Sequence, residues 1–303
     1  CCGLTIWTVS TIESDTFLFS ISTKKHLSFL FKLFYYSTVF VILKLISIKA
    51  VLQRNGVLMR NIKLTIEYDG SRYQGWTRLG KDESGNTISN KITEVLKKMT
   101  EEDDLELFCG CRTEVGVHAY AQIANFRTSC SVSTQNIKHY LNRYLPMDIA
   151  IIEVEEVPER FHAQLNATSK TYVYRMTIDD VPSVFDRKYT YHCYRIPDKR
   201  MMQQAAEKLT GRHDFRNFSS AKKTKSTVRE IFDIDIYGDI EEMQILIHAD
   251  DFLHNMARII VGTLMDIGLG NRSVQDIDDI FAGILEASAP CDPKGLYLQE
   301  ITY

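Results

Sequence analysis

What the sequence lacks narrows its class before any motif is read. No uncharged apolar run approaches the ~20 residues needed to cross a bilayer. The longest apolar-leaning stretch, Leu33 to Leu43, is closed off by Lys32 and Lys44. No small-residue cleavage site follows it, which argues against a secretory signal. The seven cysteines have no repeated spacing, and Cys109 and Cys111 form a lone C-x-C without a second pair at finger-like distance. A metal site is therefore not expected, and the thiols read as reduced, in a cytoplasmic protein.

Positive charge is also short. The chain has 36 Lys/Arg against 39 Asp/Glu, and residues 59–303 alone carry 30 against 37. Such a balance disfavours nucleic-acid binding, which draws its affinity from phosphate neutralisation, unless basic residues gather on one face. Lys138, His139 and Arg143 form one candidate group, and Lys222, Lys223, Lys225 and Arg229 another.

Acidic residues are scarce in one region only. Residues 1–58 carry two Asp/Glu against six Lys/Arg and are rich in Phe, Ile, Leu, Ser and Thr. The first methionine, Met59, stands immediately before an alternating segment. The expectation is that Met59 is the natural start and that residues 1–58 are translated upstream sequence, dispensable for folding. A membrane-surface leader is the alternative.

From Met59 onward the composition is that of an ordinary globular protein, and the patterning is regular. Ile62, Leu64, Ile66 and Tyr68 alternate with Lys63, Thr65 and Glu67, the signature of a half-buried strand. After a turn at Asp69 and Gly70, and a polar loop from Lys81 to Asn86, Thr87 reads as an N-cap. The helix it opens places Ile88, Ile92, Val95, Leu96 and Met99 on one face. Ser133 caps a second helix that Pro146 ends, and Asp148 to Val154 reads as a buried strand. Further on, strands are expected at 171–178, 228–237, 242–249 and 296–302, and helices at 198–209, 254–268 and 273–284. The fold class is α+β: two α/β halves, 59–165 and 166–303, with mainly antiparallel sheets flanked by helices.

The stretch from Cys109 to Ala119 concentrates chemistry. It brings a guanidinium (Arg112), a carboxylate (Glu114) and an imidazole (His118) together within seven residues, between two apolar runs. Gly110 and Gly116 permit sharp turns there. A charged trio on a loop between buried strands is a natural place for catalytic groups, although clustered charges are also often structural.

Here the sequence resembles the tRNA pseudouridine synthase A family, whose motif reads Arg-Thr-Asp-Ala-Gly-Val-His. Arg112, Thr113, Gly116, Val117 and His118 match, whereas Glu114 stands where the family has its catalytic aspartate and Val115 where it has alanine. Five further blocks follow the family's order. Tyr68, Asp69, Gly70, Gly75 and Trp76 match one, with Thr77 in place of the usual glutamine. Phe161, His162, Ala163, Ala167, Thr168, Lys170, Tyr172 and Tyr174 match the next, with Thr171 in place of a second basic residue. Gly211 to Phe215, Phe252 to Arg258, and Ala289 to Leu298 supply the last three.

The resemblance implies conversion of uridine to pseudouridine in the anticodon stem-loop of tRNA, without metal or cofactor, by a homodimer. It places the active site in a cleft between the halves. It assigns Glu114 as the catalytic carboxylate, Arg258 as the ion-pair partner that keeps it charged, and Tyr172 as the group that stacks on the flipped base. Leu296 is assigned to the base's other side and Arg112 to the gap the base leaves or to a phosphate, with Thr113, His118 and Lys170 as further substrate-binding groups. Because glutamate is one methylene longer than aspartate, and ~1 Å of misplacement costs about 100-fold in rate, two readings stand: an active synthase using Glu114, or a tRNA-binding paralogue with impaired catalysis.

Overall fold

In the computed structural model, residues 59–77, 85–220, 226–238 and 241–303 are described. The expectations for residues 1–58, and for Lys222, Lys223 and Lys225, lie outside them. Among the described residues ten strands form one sheet. They are β1 (Arg60–Tyr68), β2 (Leu107–Cys109), β3 (His118–Thr128), β4 (Ile149–Val157), β5 (Ser169–Ile178), β6 (Tyr191–Cys193), β7 (Gly211–Asp214), β8 (Val228–Gly238), β9 (Glu242–Ala249) and β10 (Leu296–Thr302). Their order is β4-β1-β3-β10-β5-β9-β8-β7, with β2 added on β3 and β6 on β5. All pairings are antiparallel except β10 with β3 and β6 with β5. The two halves expected from the sequence therefore share a single sheet, because β10 pairs with a strand from each.

Among the described residues five α-helices accompany it: α1 (Ile88–Thr100), α2 (Thr134–Tyr144), α3 (Lys199–Leu209), α4 (Met256–Gly268) and α5 (Asp276–Phe281). None is long and apolar enough to cross a membrane. Local chemistry sets their ends. Thr87 and Ser133 accept from Asn90 N–H and Asn136 N–H, as N-caps do. The buried stripe of α1 is Ile88, Ile92, Val95 and Leu96, and that of α2 is Ile137 and Leu141, as their periodicity requires. In α4 ten of thirteen residues are buried, so this helix is apolar almost all round and forms the centre of its layer.

Two helices are shorter than their patterns. The segment expected at 273–284 is helical over six residues. It ends where the Ile284 and Leu285 amides fold back onto the Asp279 carbonyl and Gly283 takes φ +74°. The helix expected from residue 254 begins at Met256, because Asn255 lies in the left-handed region at φ 61° and cannot continue a right-handed helix backwards. The short strands β6 and β7 have no clear alternation and were not expected.

Candidate active site

The loop from Gly110 to Val117 is fixed from three sides. Gln122, fully buried on β3, accepts from Cys111 N–H at 3.2 Å and donates to Cys111 C=O at 2.7 Å, so its amide satisfies the loop backbone where the β2–β3 ladder stops. Thr113 Oγ1 lies 2.7 Å from the Tyr68 hydroxyl, and Thr113 C=O accepts from Trp76 N–H at 3.1 Å. Gly75 permits that approach: it takes φ +79°, and a Cβ there would lie 2.7 Å from the Thr113 carbonyl oxygen. The loop closes with Val117 N–H donating to Glu114 C=O, and Gly116 supplies the positive φ that this turn needs.

This anchoring presents Arg112, Glu114 and Val115 to a cleft of about 540 Å³. Strand β5 contributes Lys170 and Tyr172, the segment before α4 contributes Asp251, Phe252 and His254, and α4 itself contributes Arg258. Both halves of the chain thus line one cleft, and Arg112, Thr113, Glu114, Lys170, Tyr172 and Arg258 come together as the sequence led one to expect. Val115, where the family has alanine, is half exposed and lines the cleft beside Glu114.

His118 and Leu296 are not in the cleft. His118 is buried beside a second hollow lined by Asp69, Asp148, Tyr189 and Tyr297. Its ring stacks on Tyr297 at 4.7 Å, and its Nδ1 accepts from Gly70 N–H at 3.1 Å. That bond leaves Nδ1 without a proton, and burial lowers the imidazole pKa, so the ring is neutral despite the Asp69 carboxylate 3.2 Å away. It braces the Asp69–Gly70 turn against β3. Leu296 is fully buried opposite Tyr174, and the leucine facing Tyr172 across the β10–β5 pair is Leu298. Alternation decides this, since a residue two positions along a strand keeps the same face but meets a different neighbour.

The electrostatics are equally specific. Tyr172 is buried, its hydroxyl 3.1 Å from Cys111 Sγ and its ring edge-on to Phe252 at 4.9 Å. Burial pushes its phenol pKa well above the ordinary value, and the Cys111 thiol is pushed up for the same reason. Lys170 is buried and paired with Asp251, which Arg229 also approaches at 3.8 Å. Burial works against the Lys170 ammonium, but the Asp251 carboxylate paired with it works the other way, and its pKa is raised.

Glu114 and Arg258 do not form the direct ion pair expected, no salt bridge joining them among the described residues. Glu114 Oε1 accepts from Asn255 N–H at 2.9 Å, at the N-terminus of α4. Arg258 donates from Nη1 to Asn255 Oδ1 at 3.1 Å and from Nε to Cys291 C=O at 2.8 Å. The longer glutamate reaches the helix end, where the α4 dipole and a free amide favour a carboxylate. Sequence reasoning did not single out Asn255, Gln122 or Asp251. For Asn255 a signal existed: asparagine just ahead of an apolar helix is a residue that tolerates the left-handed conformation.

The family described as tRNA pseudouridine synthase matches residues 64–166 and 205–303. Among similar proteins, tRNA pseudouridine synthase A 2 of Bacillus anthracis is 41% identical over 248 residues, covering 81% of this chain and 100% of that protein. The protein of the same name from Clostridium perfringens is 42% identical over 248 residues with the same coverage. A tRNA pseudouridine synthase A from Bacillus sp. (strain KSM-64) is 41% identical over 247 residues, again covering 81% and 100%.

Proposed function

The chain belongs to the tRNA pseudouridine synthase family, and we propose that it isomerises uridine to pseudouridine in the anticodon stem-loop of tRNA, with Glu114 as the reactive carboxylate. The observation that carries this is the cleft itself. A carboxylate, a buried tyrosine and an exposed arginine line about 540 Å³, a volume suited to one extruded nucleotide. The reaction is redox-neutral and consumes no water. The C1′–N1 bond breaks, C1′ rejoins at C5, the C5 proton is lost and N1 gains one.

In this reading Glu114 attacks the sugar at C1′ or takes the proton at C2′. Tyr172 stacks on the extruded base, its phenol kept protonated by burial. Arg112, at the cleft's solvent edge, takes the gap left by the base or a phosphate, and Lys170 holds backbone phosphate while paired with Asp251. Thr113 acts indirectly by fixing the loop, and His118 by bracing the Asp69–Gly70 turn. Arg258 orients Glu114 through Asn255. The enzyme needs no metal or cofactor, and it works in the cytoplasm as a homodimer. A second reading, tRNA binding with impaired turnover, draws its support from Glu114 itself and from the missing contact with Arg258.

Pseudouridine mapping of tRNA incubated with wild type and with Glu114→Gln decides between them. Site-specific pseudouridine from wild type alone, with tRNA affinity retained by the variant, is the expected result. Tight binding without pseudouridine from either protein would establish the second reading.

A further inference from the structure

Asn255 is placed oddly for a residue at the head of a helix. An asparagine at an N-cap ordinarily turns its side chain back onto the first free amides of the helix. Asn255 makes no such capping bond. Its Oδ1 accepts from Arg258 Nη1 at 3.1 Å, and its Nδ2 donates to Ser220 Oγ at 3.1 Å. Its backbone is held at φ 61°, one of two non-glycine residues with positive φ among those described. If the chain needed only a turn here, glycine would supply it without strain. The side chain is kept and tied on both sides, and the strained backbone aims its N–H at Glu114 Oε1, 2.9 Å away. Backbone strain of this kind persists where surrounding contacts over-determine it, often at functional sites.

We infer that Asn255 is a positioning residue for the Glu114 carboxylate, fixing its orientation through the backbone N–H and linking it to Arg258 through the side-chain amide. This rests on the reading of Glu114 as the reactive carboxylate. An aspartate at position 114, one methylene shorter, would stop short of that N–H. The helix-end contact is thus matched to glutamate, and Asn255 is the residue through which this chain accommodates its longer acid. Arg258 then acts at one remove: it holds the Asn255 side chain, and its Nε bond to Cys291 C=O fixes the guanidinium.

Two variants of the full chain separate positioning from mere support of the helix. Asn255→Gly keeps the N–H and the left-handed backbone but removes the amide. Asn255→Asp keeps an acceptor for Arg258 but sets a second negative charge beside Glu114, and like charges this close make each carboxylate harder to ionise. The readouts are single-turnover pseudouridine formation against pH, tRNA affinity, thermal midpoint, and a 13C titration of the glutamate carboxylates, with the Glu114 signal assigned by its loss in Glu114→Gln. For Asn255→Gly we expect kcat to fall about 10-fold with KM within about 3-fold and the thermal midpoint close to wild type. For Asn255→Asp we expect the acid limb of the rate profile and the Glu114 titration to move up together by about one pH unit.

The inference is overturned if Asn255→Gly keeps wild-type kcat, or if its activity, affinity and thermal midpoint fall together. It is equally overturned if Asn255→Asp leaves the Glu114 titration unmoved. Absence of pseudouridine from wild type would sink the proposed function instead. The carboxylate titration would still decide the link between Asn255 and Glu114, because it needs no turnover.

Discussion

The Tyr172 hydroxyl and the Cys111 sulfur meet 3.1 Å apart inside the cleft, where a strand from one half of the chain touches the loop from the other. Each is buried and each is pushed toward its protonated form, so the contact is a neutral hydrogen bond with no charge to spread.

Tyr172 should therefore split into two roles. Tyr172→Phe removes the hydroxyl and keeps the ring, so tRNA affinity should hold while kcat drops by about 10-fold through looser placement of the base. Tyr172→Ala should in addition weaken binding by about 1–3 kcal/mol, the scale of one base–aromatic stack. Titrating a fluorescent stem-loop with each variant, beside single-turnover rates, reads the two effects apart.

The Gln122 amide carries both of its hydrogen bonds to the Cys111 backbone. Gln122→Leu leaves a buried N–H and C=O without partners and should lower stability by about 2–4 kcal/mol. Denaturant melts will report the loss. An unchanged midpoint would mean that the Cys111 N–H and C=O find other partners in the variant.

His118 makes stability depend on pH. Its folded pKa is lowered from 6.5 by burial, so the folded state prefers the neutral ring and the unfolded chain binds the extra proton. The contribution is complete above the unfolded value, declines as pH falls below it, and levels off below the folded value. Wild type should lose thermal midpoint as pH falls below about 6.5, and His118→Asn, which retains an acceptor for Gly70 N–H, should show a shallower slope. Parallel slopes for the two proteins would remove His118 as the cause.

Binding of tRNA should be salt-sensitive in spite of the acidic total. The log–log slope should flatten by about 0.7 to 0.9 in Arg112→Ala if that side chain meets one phosphate. Lys170→Gln should do the same, although Asp251 already shares its charge. An unchanged slope in both would place the phosphate contacts elsewhere, for instance on Arg229, or on the exposed Lys138 and Arg143 of α2.

Much of this was legible in the sequence because it is local. Alternation over Ile62 to Tyr68 gave β1, and the spacing of Ile88, Ile92 and Leu96 gave the buried face of α1. The charged loop stood out by composition, and its Arg112, Thr113 and Glu114 do line one cleft with three expected partners, Lys170, Tyr172 and Arg258. What could not be read was geometry across the sheet. Leu296 and Leu298 are indistinguishable until the register of β10 against β5 is known. His118 sits in the motif, yet it begins β3 and faces the Asp69 turn. The contact between Glu114 and Asn255 spans 141 residues and depends on a single left-handed backbone conformation, which no periodicity signals.

The position of β10 bears on how the protein is made. It is the latest strand in chain order, yet it lies in the interior of the sheet and is the one strand, among those described, hydrogen-bonded to both β3 and β5. A chain emerging from the ribosome can build β1, β3 and β4 early, and β5, β8 and β9 later, but no strand pairing joins the two sets into one sheet until residues 296–302 are free. The loop bearing Glu114 and the strand bearing Tyr172 are then brought to the same cleft in one late step. A stalled or truncated product would carry both groups on strand sets that the sheet does not yet join.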